Sequence, residues 1–414
     1  MILGLDPLFF DDAWVAELLI TVVKVVIAFV LLLVAVMLMI WFERKLVSDM
    51  HNRIGPNVAG PWGILQTLAD GIKLFFKEDL VPDKSDRMVF KLAPYLSLVP
   101  AFLVFAIVPI GGDFENRDGV VTIFGHDTFL QVADPHIGIL FFLAMSSLAV
   151  YGIMLAGWSS GSKYPLLGSV RATAQMVSYE AALGLALVAV LLQSESLSTH
   201  DIALGQAAAG PELFGAIPLP NWNLIVTGFI PFVVFLIAGT AELNRPPFDL
   251  VEAEQELVGG FHTEYSSIRF ALFFLAEFMN VITMSAIIVT LFLGGPAGPV
   301  LIEEVGWLFG IFWFFVKLMA FLFFFVWLRA TLPRLRYDQL MDLGWKVLIP
   351  LSLGWLLFLA ARNIANEYDW TGGQIALAAG IGVGILVICV SLLLGAIAAG
   401  ETHDDEHDTE DEVV

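Results

Sequence analysis

The side chains best suited to chemistry in this sequence are carboxylates inside long apolar runs. Glu180, in the segment MVSYEAALG, falls about two helical turns inside one run, and Glu277, in FFLAEFMN, lies about as deep in another. A carboxylate is costly in an apolar environment, so its presence there indicates a function more often than a structural role. We predict that both residues handle protons, with a helix-packing hydrogen bond as the alternative for Glu277.

Three further charged residues lie at the ends or in the middle of apolar runs. Glu43 ends the first run in WFERK, where a cluster reaching the membrane interface is the alternative to a buried role. Glu242 ends a later run in GTAELNRPPFD, where a helix cap is the alternative. Lys317 lies in the middle of a run and needs a partner or a water-filled pocket there. We expect that partner to be an acidic residue on another helix.

The densest group of acids lies in a loop at 242–264 in which Arg245 is the one arginine or lysine. The acids of this loop are Glu242, Asp249, Glu252, Glu254, Glu256 and Glu264. Clustered carboxylates titrate as coupled groups, so such a set can hold and pass protons. Pro246-Pro247 and Gly259-Gly260 predict a structured but bendable loop. A solvated acidic loop is the alternative.

An amphipathic helix is predicted within residues 61–78, PWGILQTLADGIKLFFKE. Its large apolar residues share one helical face, whereas polar residues including Asp70 share the other. Such a helix lies along a membrane surface or covers a cavity, and a plain surface anchor is the alternative. Arg53 precedes it in a turn fixed by Gly-Pro pairs, where a guanidinium can bind a carbonyl or a carboxylate.

Several kinds of site are excluded by composition. The one cysteine, Cys389, cannot by itself hold an iron–sulfur cluster, a cysteine zinc site or an internal disulfide. We find no metal-binding motif, no phosphate-binding loop, and no basic patch that predicts a nucleic-acid partner. The net charge of −21 is uneven, because the acidic tail at 400–414 contains no Lys or Arg. We expect this tail to be disordered and any redox centre to be held by other chains.

The elements that position these residues are predicted to be membrane-spanning helices. The sequence is 58% hydrophobic and 15% charged, whereas soluble domains carry roughly 25% charged residues. We predict an all-α polytopic membrane protein with about nine transmembrane helices plus the interfacial amphipathic helix. The predicted spans are 16–41, 92–111, 137–158, 174–192, 223–242, 269–293, 305–328, 345–361 and 374–399. Most of the 20 Lys and Arg residues fall on one side, which predicts an outside N-terminus and a cytoplasmic tail.

At this point the motifs match those of a known family. The sequence resembles the complex I membrane subunit that is called NuoH in bacteria and NADH dehydrogenase subunit 1 in mitochondria. The matching segments are Glu43-Arg44-Lys45, RIGPN from Arg53, GILQTLADGIKLFFKE, Ser178-Tyr179-Glu180, AELNRPPFDLVEAEQELVGGFHTEYS and FALFFLAEFMN. The resemblance covers a transmembrane core at 1–361, and it predicts nothing about the additional span at 374–399 or the tail.

The resemblance implies a subunit at the junction of the peripheral and membrane arms of complex I, in a bacterial cell membrane. Span one, span six and the amphipathic helix would line a tunnel for ubiquinone or menaquinone, with Arg44, Arg53 and Phe261 among its residues. FMN and iron–sulfur clusters would be held by partner subunits of the peripheral arm, and membrane-arm subunits would be the other partners. The implied proton-coupling residues are Glu43, Asp70, Glu180, Glu242, Asp249, Glu252, Glu254, Glu256, Glu264 and Glu277.

One departure and three alternatives accompany this interpretation. His51 stands where the family usually has glutamine, which adds a titratable group near the tunnel mouth. The nearest alternative is the equivalent subunit of a membrane-bound hydrogenase or of another quinone-linked dehydrogenase. A secondary transporter predicts an inverted repeat, and we see no repeat between the halves. A purely structural anchor would leave a buried Glu180 unexplained.

Overall fold

The structure is a computed structural model that describes residues 6–10, 14–114, 118–213, 217–250, 257–300, 302, 305–368 and 373–374. The described chain is mostly helical. Its helices are α1 (Trp14–Met50), α2 (Gln66–Phe76), α3 (Arg87–Phe105), α4 (Gly138–Ser159), α5 (Lys163–Ser194), α6 (Thr199–Ala207), α7 (Asn223–Val226), α8 (Phe229–Glu242), α9 (Ser267–Phe292), α10 (Gly306–Thr331), α11 (Tyr337–Asp342) and α12 (Ile349–Glu367). A π-helical segment, Leu343–Leu348, joins α11 to α12.

Two small antiparallel hairpins interrupt the helical fold, which the all-α prediction did not anticipate. In the first, β1 (Val120–Ile123) pairs with β2 (His126–Phe129). In the second, β3 (Ala209–Leu213) pairs with β4 (Ile217–Pro220). The first hairpin turns at Phe124 and Gly125, which both have positive φ, and such residues are typical of tight hairpin turns. Strands this short produce no clear alternation of polarity in the sequence.

Seven helical segments of the described chain are long and apolar enough to cross a membrane. They are α1, α3, α4, α5, α9, α10 and the continuous segment 337–367. Helices are therefore present in eight of the nine predicted spans. The ninth, at 374–399, lies outside the described residues apart from residue 374, as does the acidic tail. The total of nine spans stays a prediction.

The predicted span at 223–242 is broken into two helices. A short α7 is separated from α8 by Thr227 and Gly228, and Gly228 has φ of 82°, which a continuous helix does not permit. The 14 residues of α8 extend only about 21 Å at 1.5 Å per residue. Conversely, α5 begins well before its predicted span, since the apolar window detects only the most hydrophobic part of a helix.

The innermost helix of the core is α9. All of the residues from Val281 to Phe292 are buried, as expected for a helix that is apolar on every side. By contrast, α1 exposes Val22, Val26 and Val30 at four-residue intervals, so this stripe is suited to face lipid. The chain divides into two compact units, 1–349 and 350–414. The candidate site lies in the first; in the second, residues 350–367 continue α12.

Candidate functional site

The centre of the candidate site is the guanidinium of Arg245, which lies between two carboxylates. Its Nη1 is 3.0 Å from Oε2 of Glu43, and its Nε is 3.0 Å from Oε1 of Glu277. Arg329 forms a further ion pair with Glu43. Arg245 and Glu43 are 5% and 7% exposed, so Glu43 does not extend to an interface as the alternative interpretation required. Paired charges thus connect α1, α9 and α10 with the turn after α8, and pairing offsets the cost of burial.

The turn that follows α8 is held in position from α5. Gln175 Nε2 donates to the carbonyl oxygens of Ala241 and Phe248, at 2.8 and 2.9 Å. The guanidinium carbon of Arg245 also lies 4.5 Å from the centroid of the Phe278 ring, within cation–π distance. Gln175 therefore fixes the backbone on either side of Arg245, and Phe278 contacts its side chain. Together these contacts give the ion pairs a defined geometry.

The acids of the 242–264 loop are only partly described. Asp249 is buried, and its Oδ2 lies 3.3 Å from Nη2 of Arg334. Glu264 is half-buried. The remaining candidates, which lie outside the described residues, are Glu252, Glu254 and Glu256. The structure therefore describes the loop on both sides of residues 251–256. The roles of the acids within that segment stay predictions.

The amphipathic helix α2 is fixed to α1 at one end and to α9 at the other. Arg44 Nη1, from α1, lies 2.6 Å from Oδ2 of Asp70. Ser267 Oγ, at the start of α9, lies 2.9 and 2.8 Å from the carbonyl oxygens of Leu74 and Lys77. Burial raises the pKa of Asp70, but its hydrogen bond and charge interaction with Arg44 outweigh burial, so the pKa is lowered overall. Asp70 is therefore ionised at neutral pH.

The apolar face of α2 is directed away from the rest of the described chain. Leu68, Ile72 and Phe75 are exposed, whereas Asp70 on the opposite face is half-buried. This division into two faces agrees with the periodicity, and a location at the membrane surface stays a prediction. Arg53 and His51 are also exposed, so the roles implied for them stay predictions as well.

Two adjoining cavities share Glu242, and one of them also reaches Glu277. The larger, of about 60 Å³, has Phe261, His262 and Glu277 among its lining residues. The smaller, of about 30 Å³, reaches Ser146. Glu242 lines both cavities. Since a water molecule requires roughly 10–15 Å³ measured in this way, each cavity has room for water. The larger lies between the 257–266 segment and α4, and the smaller lies between α3, α4 and α9.

Buried polar atoms line these cavities. The atoms are Ser97 Oγ, Thr283 Oγ1 and Glu242 Oε2: Ser97 lines the larger cavity, Thr283 lines the smaller, and Glu242 lines both. Within the described ranges, none of these three atoms has a hydrogen-bond partner. Buried polar groups in roomy sites are usually satisfied by ordered water. The cavities therefore have room and polar groups for a few water molecules, although most of their lining is apolar.

Consecutive serines of α4 contact two of the predicted acids. Ser147 Oγ hydrogen-bonds to Oε1 of Glu180, and Ser146 Oγ hydrogen-bonds to Oε1 of Glu242. Glu180 is half-buried. Helix α4 thus connects an acid of α5 with an acid of α8, and the second of these acids opens into both cavities.

The ring of His262 forms part of the larger cavity next to Phe261. Their ring centroids are 3.9 Å apart. Burial lowers the pKa of His262 to about 4, so the imidazole is neutral at physiological pH. Phe261, which the resemblance implied as a quinone-site residue, is itself 5% exposed.

The predicted partner of Lys317 is wrong. Its Nζ lies 2.7 Å from the carbonyl oxygens of Leu293 and Ala297 and 3.0 Å from that of Gly295. These carbonyls follow the C-terminus of α9, where the unpaired carbonyl groups of a helix carry partial negative charge. An ammonium group in an apolar run can therefore be satisfied by a helix end without any acidic residue.

Five residues that shape this site were not predicted from the sequence. They are Ser146, Ser147, Gln175, His262 and Arg329. Two signals were available: Ser146 and Ser147 are adjacent polar residues inside an apolar span, and Gln175 lies in a helix with few other amide side chains. Neither signal identifies the partner, because each of these contacts joins segments far apart in the sequence.

Comparison with known proteins identifies the family of this chain. Residues 23–360 match the NADH dehydrogenase family. The chain is 50% identical over 375 residues to the H subunit of NADH-quinone oxidoreductase from Frankia casuarinae, covering 88% of this chain and 77% of that protein. It is 42% identical over 413 residues to the protein of the same name from Cutibacterium acnes, covering 97% and 89%. This multi-pass membrane protein therefore belongs to the NADH dehydrogenase family, together with these subunits of NADH-quinone oxidoreductase.

Proposed function

We propose that this chain is a membrane subunit of NADH-quinone oxidoreductase that couples the reduction of quinone to the translocation of protons. Its similarity to the H subunits from Frankia and Cutibacterium supports the assignment to that complex. The observation that carries the coupling role is the position of Arg245, which is shared between Glu43 and Glu277, together with the larger cavity, which is lined by both Glu277 and Glu242.

Arg245 provides a simple way for protonation to change the site. With both acids ionised, the guanidinium is attracted to Glu43 and to Glu277. A proton on Glu277 removes one attraction, so Arg245 is held by Glu43 alone. Loss of that proton restores the shared position. Electrostatic interactions of this kind are strong where little water screens them, so one proton changes the balance of forces among α1, α8 and α9.

For the quinone, we propose a tunnel bounded by α1, α2 and α9, with Arg44, Arg53 and Phe261 along it. The fixed position of α2 between the other two helices supports this placement. Quinone reduction needs two electrons, and each adds negative charge that protons must neutralise. We propose that the acids of the 242–264 loop supply these protons and regain them through the cavities.

We further propose the setting in which this occurs. The loop and α2 face the cytoplasm of a bacterial cell, the N-terminus lies outside, and the acidic tail is cytoplasmic. Peripheral-arm subunits hold the FMN and the iron–sulfur clusters that deliver electrons, and membrane-arm subunits receive the coupling signal. The presence of a single cysteine, Cys389, supports the placement of clusters in other chains.

The proposal is tested by separating quinone reduction from upstream electron transfer. Arg53→Ala in the assembled complex is expected to slow NADH-dependent quinone reduction while leaving the reduction of an artificial acceptor unchanged. Arg87→Ala, another exposed arginine, serves as the control. Equal losses with both acceptors would indicate an assembly defect and contradict a role for Arg53 in the tunnel. Subunits that co-purify with the tagged chain in mild detergent identify the complex itself.

A further inference from the structure

The hydroxyl group of Ser147 has two hydrogen-bond acceptors within reach. Its Oγ lies 3.0 Å from the carbonyl oxygen of Leu143, one turn earlier in α4. The same Oγ is in contact with Oε1 of Glu180 from α5. A hydroxyl group has one proton to donate and can accept at its oxygen. Ser147 can therefore donate to one of these two acceptors at a time.

We infer that Ser147 is a positioning residue for proton loading of Glu180, acting as a rotor between these two hydrogen bonds. This inference rests on the proposed function, in which Glu180 gains and loses a proton. When Glu180 is ionised, Ser147 donates to its Oε1. When Glu180 carries the proton, its carboxyl group donates to Ser147 Oγ, and the serine hydroxyl turns to the Leu143 carbonyl. The serine keeps its own proton throughout, and the backbone of α4 stays in place.

The advantage of the rotor is that both states of Glu180 are hydrogen-bonded. Leaving a buried donor or acceptor without a partner is costly, more so when the group is charged. A fixed donor would favour the carboxylate over the carboxylic acid. A hydroxyl group that both donates and accepts narrows the difference in free energy between ionised and protonated Glu180. A small difference allows Glu180 both to take up and to release a proton.

The neighbouring serine behaves differently. Among the described residues, the structure gives Ser146 one hydrogen-bond partner, Glu242. Glu242 itself lines both cavities, where it can exchange protons with water. Ser146 and Ser147 therefore hold two acids whose negative charges repel each other, and Ser147 is the one with a second acceptor.

The test uses the assembled complex in proteoliposomes, with NADH oxidation, proton translocation and infrared difference spectra as readouts. The carboxyl band of Glu180 is identified by its absence in Glu180→Gln. For Ser147→Ala we expect proton translocation to slow about tenfold, the loss typical of a charge-assisted hydrogen bond. We also expect the carboxyl band to shift to higher frequency, because the protonated group loses its acceptor. Ser147→Thr, which keeps the hydroxyl, should restore both to near wild type.

Two further variants keep the result decisive. Ser285→Ala in α9 removes a buried hydroxyl that also donates to a carbonyl one turn earlier, at 2.7 Å, and should leave both readouts unchanged. If Ser147→Ala fails to assemble, Ser147→Cys keeps a side chain of similar shape whose sulfur is a weaker acceptor and donor, and it should show the band shift.

The outcomes separate the inference from the proposed function. The inference about Ser147 would be overturned if Ser147→Ala showed wild-type translocation and an unshifted band. The role of Glu180 would stand in that case if Glu180→Gln lost translocation. Equal losses in Ser147→Ala and Ser147→Thr would indicate a packing role and would also overturn the inference about Ser147. Full translocation in Glu180→Gln would instead remove the role proposed for Glu180.

Discussion

Arg245 Nη1 lies 3.0 Å from Oε2 of Glu43, although 202 positions separate the two residues in the sequence. This pair joins the end of the first spanning helix to the turn after α8. Because Glu277 contacts the same guanidinium, the loss of Arg245 would leave two carboxylates with less compensation. The stability of the complex and its coupling should therefore depend on one residue that is not itself a proton carrier.

Replacement of Arg245 by Met should destabilise the subunit by about 3 kcal/mol, the lower end of the cost of breaking a buried ion pair, because Glu43 keeps Arg329 as a partner. Thermal denaturation of the purified complex measures the loss. The double variant Arg245→Met with Glu277→Gln should recover part of it, because the carboxylate that lost its 3.0 Å contact with Arg245 is removed as well. A double variant no more stable than the single one would show that Glu277 does not depend on Arg245.

Arg44→Gln and Asp70→Asn should each lower quinone reduction and should not be additive, because they break the same 2.6 Å contact. Their effect on thermal stability should be below about 1 kcal/mol, since the pair is partly exposed. Rates of quinone reduction by the single variants and the double variant provide the test. Additive losses would mean that the two residues act independently rather than by fixing α2 to α1.

Lys317→Met should destabilise the complex by about 2 kcal/mol or more, because carbonyl groups after α9 lose a charged donor. Turnover per assembled complex should not change, since this contact is separate from the proposed proton path. Lys317→Arg, which keeps the donor, is the matched variant. Reduced turnover in an assembled, thermally stable Lys317→Met complex would contradict a structural role.

Asp134 should make the stability depend on pH. Burial raises its pKa to about 7, and the nearby charge of Asp201 contributes in the same direction, against the hydrogen bond from Ser198. A raised pKa means that the folded protein binds this proton more tightly than the unfolded chain does. The stability from that proton is complete below the unfolded pKa and is lost as the pH rises to about 7, at about 1.4 kcal/mol per pH unit.

Asp134→Asn removes this dependence and keeps an oxygen that can accept from Ser198. We predict that its melting temperature exceeds that of wild type increasingly as the pH rises from 5 to 7, with a constant difference above that range. Melting curves at matched ionic strength measure it. A difference independent of pH would mean that the carboxyl group does not titrate in this range.

The sequence was informative about where charges lie and much less so about what they contact. Apolar runs located eight helices, and the depth of Glu180 and Glu277 within them marked both as residues for the site. The partners of these acids could not be predicted, because Ser147 and Arg245 come from distant segments whose approach is set by packing. The partners of Lys317 could not be predicted for a similar reason. They are backbone carbonyl groups, which every type of residue has. The break between α7 and α8 could not be predicted either, because it depends on the backbone conformation of one residue, Gly228.

The most direct measurement is the number of protons translocated per NADH oxidised by the complex carrying Glu277→Gln, reconstituted in proteoliposomes. We predict that this ratio falls and that proton translocation slows by about 10²-fold or more, as is typical when a proton-transfer group is removed, with assembly and artificial-acceptor activity intact. Glu195→Gln, at an exposed helix end, should behave as wild type. An unchanged proton-to-NADH ratio in fully assembled Glu277→Gln would contradict the coupling role of the cluster formed by Glu43, Arg245 and Glu277.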